Sequence, residues 1–147
     1  MKKVLVLAAT LTLAVAVALP LAASGASDHR TGAQAVSVTL KEYKFVSTKL
    51  EKAVFGKRSI LKPGSTTFTF TNAGEFPHDF TIVLASPGAT KFSSGMVAPG
   101  ESKTMTVDLK PGAYLAACTQ FNGFHWASGM VRAFSVGKIN EKGKWVR

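Results

Sequence analysis

One thiol, two imidazoles and one thioether stand in two short segments of this chain. His78 lies in Phe76-Pro77-His78-Asp79-Phe80, and Cys118, His125 and Met130 lie in Cys-Thr-Gln-Phe-Asn-Gly-Phe-His-Trp-Ala-Ser-Gly-Met. Sulfur and imidazole are donors that transition metals take from proteins, and the softer sulfur favours the softer ions. Six residues separate Cys118 from His125 and four separate His125 from Met130. That spacing belongs to a loop and not to one face of a helix.

Each residue alone has an ordinary structural reading. A single cysteine is commonly a buried small hydrophobe, a histidine after a proline often caps or sits on the surface, and a methionine fills a core. Together they describe something more specific. Two imidazoles and a thiolate in a trigonal arrangement, with a long thioether contact on the axis, make the electron-transfer copper site. Sulfur suits Cu(I) and imidazole accommodates Cu(II), so neither state has its ideal geometry and little must move when an electron arrives or leaves.

The elements that must position these groups read as β-strands. From Val36 onward short runs of Val, Thr, Phe and Ile alternate with Pro-Gly or Asn-Ala-Gly punctuation, the pattern of antiparallel strands and tight turns. Strands are predicted near Val36 to Phe45, Thr66 to Asn72, Asp79 to Leu84, Ser102 to Leu109, Ala113 to Cys118 and Met130 to Val136. Turns are expected at Pro63-Gly64, Asn72-Ala73-Gly74, Pro99-Gly100 and Pro111-Gly112. In Thr66-Thr67-Phe68-Thr69-Phe70-Thr71 the phenylalanines alternate with threonines, which makes one face apolar. Such faces are buried by stacking, so the expected fold is all-β, a Greek-key two-sheet β-sandwich. The basic stretch from Lys49 to Lys62 has no assignable structure.

Composition fits one globular domain: 147 residues, 46% hydrophobic and 18% charged, with a single Cys that excludes an intramolecular disulfide framework. Lys2 and Lys3 precede an apolar run from Val4 to Leu19, and Pro20 ends it short of a membrane span. Small residues Ala22-Ala23-Ser24-Gly25-Ala26 follow, so residues 1–26 read as a signal peptide and the chain as periplasmic or secreted. An uncleaved leader is the one membrane contact expected. Residues 27–35 read as a flexible leader, 36–137 as the domain, and 138–147 as a basic C-terminal tail in which Trp145 packs back. The 18 Lys/Arg against 8 Asp/Glu give a formal charge of +10, which favours an acidic partner by electrostatic attraction. Nucleic acid is the rival partner for a basic chain, but no binding motif for it is present.

The segments around the four donors resemble the cupredoxin family, the small blue copper proteins that include plastocyanin, azurin and rusticyanin. The likeness runs from about Val36 to Gly137. It is carried by His78-Asp79-Phe80, by the Pro111-Gly112-Ala113-Tyr114 approach to the Cys strand, and by Cys-x6-His-x4-Met ending in Gly129-Met130. The resemblance implies one type 1 copper bound by His78 and His125 through imidazole nitrogen, by Cys118 through its thiolate, and by Met130 on the axis. It also implies a partly exposed His125 edge in an apolar patch where a redox partner docks. The Cys118 to His125 loop is longer than in plastocyanin-like, azurin-like or rusticyanin-like relatives. Asp79 stands where many relatives place Asn or Ser, and as an ionised acid it accepts hydrogen bonds but does not donate them. Phe76, Phe121, Phe124 and Trp126 are expected to form an apolar collar that limits water around the metal.

The expected function is therefore an exported type 1 copper protein, a monomer that carries single electrons between redox partners and is not an enzyme. The alternative is a periplasmic copper-binding or copper-delivery protein. Cleavage after Ala26 would in addition expose Ser27-Asp28-His29, a tripeptide able to wrap Cu(II) in planar nitrogen geometry.

Overall fold

The computed structural model describes residues 33–53 and 61–146. The signal peptide and Ser27-Asp28-His29 lie outside the described residues. Strand β1 spans Gln34–Lys41, β2 Lys44–Val46, β3 Gly64–Asn72, β4 Thr81–Ala85, β5 Ser102–Leu109, β6 Gly112–Ala117 and β7 Val131–Val136. A short helix α1 (Thr48–Lys52) follows β2, a single 3-10 turn (Phe121–Gly123) and a one-turn helix α2 (Phe124–Ala127) follow β6, and a small hairpin β8 (Lys138–Ile139) and β9 (Trp145–Val146) follows β7.

The strands form two sheets, in the orders β2-β1-β3-β5 and β4-β6-β7. The chain crosses between them after β3, β4 and β5, and the apolar faces meet as a two-sheet sandwich. Alternation in β3 works as expected: Thr66, Phe68, Phe70 and Asn72 are buried, and the residues between them are half-buried or exposed. Phe80 sits among the rings of Phe45, Phe68, Phe70, Phe92 and Phe134, with centroids 4.9 to 6.3 Å away. Offset and tilted aromatic contacts of this kind add to the apolar area that each ring removes from water.

Three expectations are corrected. The strand read from Val36 to Phe45 is two strands: the chain turns back at Glu42-Tyr43, and β1 pairs antiparallel with β2. Tyr43 has φ of 59° there, a left-handed conformation that costs a bulky L-residue about 1 to 2 kcal/mol. The strands are not all antiparallel, because β1 pairs parallel with β3 from Gln34↔Thr66 to Leu40↔Asn72. The leader expected to be flexible up to residue 35 gives its last two residues to β1, since Gln34 bonds its side chain to Thr66 and Lys62. In the basic stretch left unassigned, the Ser47 hydroxyl accepts from the Leu50 N–H and caps α1, and Leu50 is buried. Ala53 and Leu61 then accept backbone hydrogen bonds from Ser135 and Gly137, which places these two residues beside the end of β7.

Candidate metal centre

Four elements deliver the sulfur and imidazole groups to one end of the sandwich. His78 lies between β3 and β4 in an isolated bridge to Val97, with backbone bonds of 3.1 and 2.8 Å in the two directions. Cys118 directly follows β6, and its N–H donates to the Met130 carbonyl at 3.0 Å, which prolongs the β6–β7 ladder by one step. His125 rides on α2, and the Met130 N–H donates to the His125 carbonyl at 2.9 Å. Gly129, with φ of 100°, supplies the left-handed bend between α2 and β7 that a side chain would resist.

The result is a triangle of donor atoms. His78 Nδ1 lies 3.1 Å from His125 Nδ1, Cys118 Sγ lies 3.5 Å from His125 Nδ1, and Cys118 Sγ lies 3.8 Å from His78 Nδ1. A point equidistant from corners with those separations is about 2.0 Å from each, which is the length of a metal–imidazole bond and somewhat short for a metal–thiolate bond. All three residues are buried, with His125 only 3% exposed. Among the described residues this is the one cluster of three or more His, Cys, Asp or Glu side chains close enough to share an ion. Met130 is wholly buried and bonded through its backbone to both Cys118 and His125.

The electrostatics suit a cation. Burial pushes the Cys118 thiol above its ordinary range, with the N–H groups of Asp79 and Gln120 opposing that rise. Burial and the neighbouring His125 hold His78 below the usual imidazole range, against the pull of Glu42 and Asp79. At neutral pH His78 therefore offers a bare lone pair, and an incoming ion must displace the thiol proton.

The chain superimposes on reduced auracyanin from the photosynthetic bacterium Roseiflexus castenholzii with a TM-score of 0.53, at 20% identity, covering 72% of this chain and 99% of that one. Auracyanin B gives a TM-score of 0.50 at 19% identity, over 72% of this chain and 90% of that one. The chain has the cupredoxin fold. No protein-family model and no curated protein sequence matches it.

In this cupredoxin fold Asp79 is the tie between the two donor segments. Its carboxylate accepts from the Thr119 N–H at 2.7 Å, the Thr119 hydroxyl at 2.6 Å and the Gln120 amide at 2.9 Å. Its own N–H points at Cys118 Sγ at 3.5 Å. Asp79 thus ties the His78 segment to the Cys118 segment through its accepting carboxylate and its donating backbone N–H.

The apolar collar differs from expectation in two ways. Phe76, Phe121 and Phe124 do surround His125, with ring centroids 6.3, 4.8 and 6.3 Å from the imidazole. The fourth wall is Tyr43, edge-on at 5.7 Å, whereas Trp126 does not line the dish and is 42% exposed. His125 forms the floor of this dish of about 310 Å³. The edge expected to be partly exposed is thereby almost wholly covered.

Sequence reasoning did not single out Glu42, Tyr43, Thr119 or Gln120. A signal for Glu42 was present. In sequence it follows the every-second-residue register of the buried Val36, Val38 and Leu40, although β1 ends at Lys41 and the Glu42 side chain, in the turn, is 34% exposed.

Proposed function

We propose that this chain binds one copper ion through His78, Cys118 and His125, with Met130 as the axial donor, and carries single electrons between redox partners outside the cytoplasm. When bound, copper supplies a reversible one-electron couple between Cu(I) and Cu(II). The observation that carries the reading is the donor triangle of 3.1, 3.5 and 3.8 Å, whose chemistry matches the mixed sulfur and nitrogen demand of that couple. The chain's own residues do the rest. Buried donors held by backbone bonds of a bridge, a strand end and a helix would change little between oxidation states, and Asp79 ties the two donor segments together.

The rings of Tyr43, Phe76, Phe121 and Phe124 leave His125 only 3% exposed and offer an apolar landing surface. An acidic redox partner would be drawn to the positively charged chain, faster at low salt than at high salt. Export rests on the basic start and apolar run of the first residues. The burial of all three donors favours a carrier over a protein that hands its ion on, because release would require opening the site.

The test is direct. Copper-loaded, oxidised protein is expected to show an intense visible band from thiolate-to-copper charge transfer, and Cys118→Ser is expected to remove it. A variant that keeps the band overturns the assignment. Fast electron self-exchange with slow copper loss supports the carrier; ready copper transfer with slow self-exchange supports delivery instead.

A further inference from the structure

One carboxylate beside the site has no part in the donor set. Glu42 sits in the turn between β1 and β2, and its Oε1 accepts from the backbone N–H of Glu75 and, at 3.4 Å, from that of Phe76. Those residues open the loop that leads to His78, so the turn and the loop are pinned together. On the side of the His78 ring away from the donor triangle, Nε2 is buried, has no hydrogen-bond partner among the described residues, and lies 3.6 Å from Glu42 Oε1. Buried polar groups are rarely left unpaired. A histidine that ligates a metal usually gives its second N–H to a carboxylate, carbonyl or water.

Gly74 makes room for this approach. A Cβ there would collide with the Glu42 carboxylate and come within 2.9 Å of His78 Nε2. Gly74 is not among the positive-φ glycines, so what it contributes is space and not backbone freedom.

We propose that Glu42 is a positioning residue for His78: its carboxylate takes the hydrogen bond of Nε2–H and so keeps Nδ1 bare and turned toward Cys118 and His125. The consequence for copper rests on the function proposed above; the tautomer does not. A carboxylate on the far nitrogen makes the ring a stronger donor and favours Cu(II) over Cu(I), because the harder, more charged ion gains more from it.

Nitrogen-15 NMR of the metal-free protein at neutral pH reads the tautomer. Wild type and Glu42→Gln, whose amide oxygen still accepts, are expected to carry the His78 proton on Nε2; Glu42→Ala and Gly74→Ala are expected to mix the two tautomers. Copper titrations of Glu42→Ala should show Cu(II) bound about tenfold more weakly with Cu(I) little changed. That ratio is a rise of about 59 mV in the one-electron potential. Gly74→Ala, which keeps the carboxylate but displaces it, should match Glu42→Ala, and the double variant should add nothing further. If Glu42→Ala does not fold, Gly74→Ala and Glu42→Gln make the same comparison. A wild-type His78 protonated on Nδ1, or a Glu42→Ala protein with unchanged tautomer and unchanged Cu(II) to Cu(I) affinity ratio, overturns the proposal. A wild type with the Nε2 tautomer that takes up no copper supports the role of Glu42 and sinks the copper reading instead.

Discussion

The Asp79 carboxylate accepts both the backbone N–H and the hydroxyl of Thr119, at 2.7 and 2.6 Å. Forty positions apart in sequence, the two residues flank His78 on one side and Cys118 on the other. The spacing of the imidazole and the thiol is therefore supported by a partly buried pair of hydrogen bonds as well as by the strands.

Removing that pair has a predictable cost. In the copper-free protein, Asp79→Ala leaves the Thr119 and Gln120 donors without their acceptor and is expected to lower the unfolding free energy by about 3 kcal/mol. Asp79→Asn keeps one acceptor oxygen and should lose about 1 kcal/mol. Urea unfolding of the three proteins checks the order; equal stabilities would remove Asp79 as the tie.

Phe80 offers a test of how far the core and the site are coupled. It is fully buried two residues after His78 and touches five aromatic rings. Phe80→Ala is expected to destabilise by about 3 to 5 kcal/mol through the cavity left behind, and Phe80→Leu by far less. Chemical denaturation measures both, and a loss below about 1 kcal/mol for alanine would mean that the two sheets close over the gap.

Tyr114 carries the alkaline limit. Burial raises its phenol above the ordinary value, opposed by hydrogen bonds that link it to Thr90 and Lys110. A folded-state value above the unfolded one means that the contribution is whole below pH of about 10 and is lost as pH rises further, because the unfolded chain releases its proton first. Tyr114→Phe should be less stable at neutral pH, by about 1 kcal/mol for the lost hydrogen bonds. Its deficit should shrink above pH of about 10. Thermal melts of both proteins across that range read the difference, and parallel curves would contradict it.

Met130 is tested through the potential of the copper-loaded protein. Replacing its thioether by the amide of Met130→Gln puts a harder oxygen donor on the axis, which favours Cu(II) and should lower the potential while copper stays bound. Voltammetry gives the answer. A potential identical to wild type takes Met130 out of the proposed donor set.

What the sequence determined by itself was local. The donor types and their order, the alternation that buries Phe68 and Phe70, the strands near Ser102 to Leu109 and Met130 to Val136, and the turn at Pro99-Gly100 follow from side-chain period and from where proline and glycine stand. Pairing was decided by the tertiary structure. Nothing in the run from Val36 to Phe45 says that it doubles back at Glu42, because Lys41, Glu42 and Tyr43 contain neither Pro nor Gly, or that β1 lies parallel to β3. The period of a strand reports which face is buried but not which strand is its neighbour. The same limit governs the site: two imidazoles and a thiol were visible as types, whereas their 3.1 to 3.8 Å triangle, the seating of Asp79 on Thr119 and the approach of Glu42 to His78 join segments far apart in the chain. Only the pairing of strands distant in sequence, β4 with β6, β6 with β7 and β1 with β3, brings such segments within bonding distance.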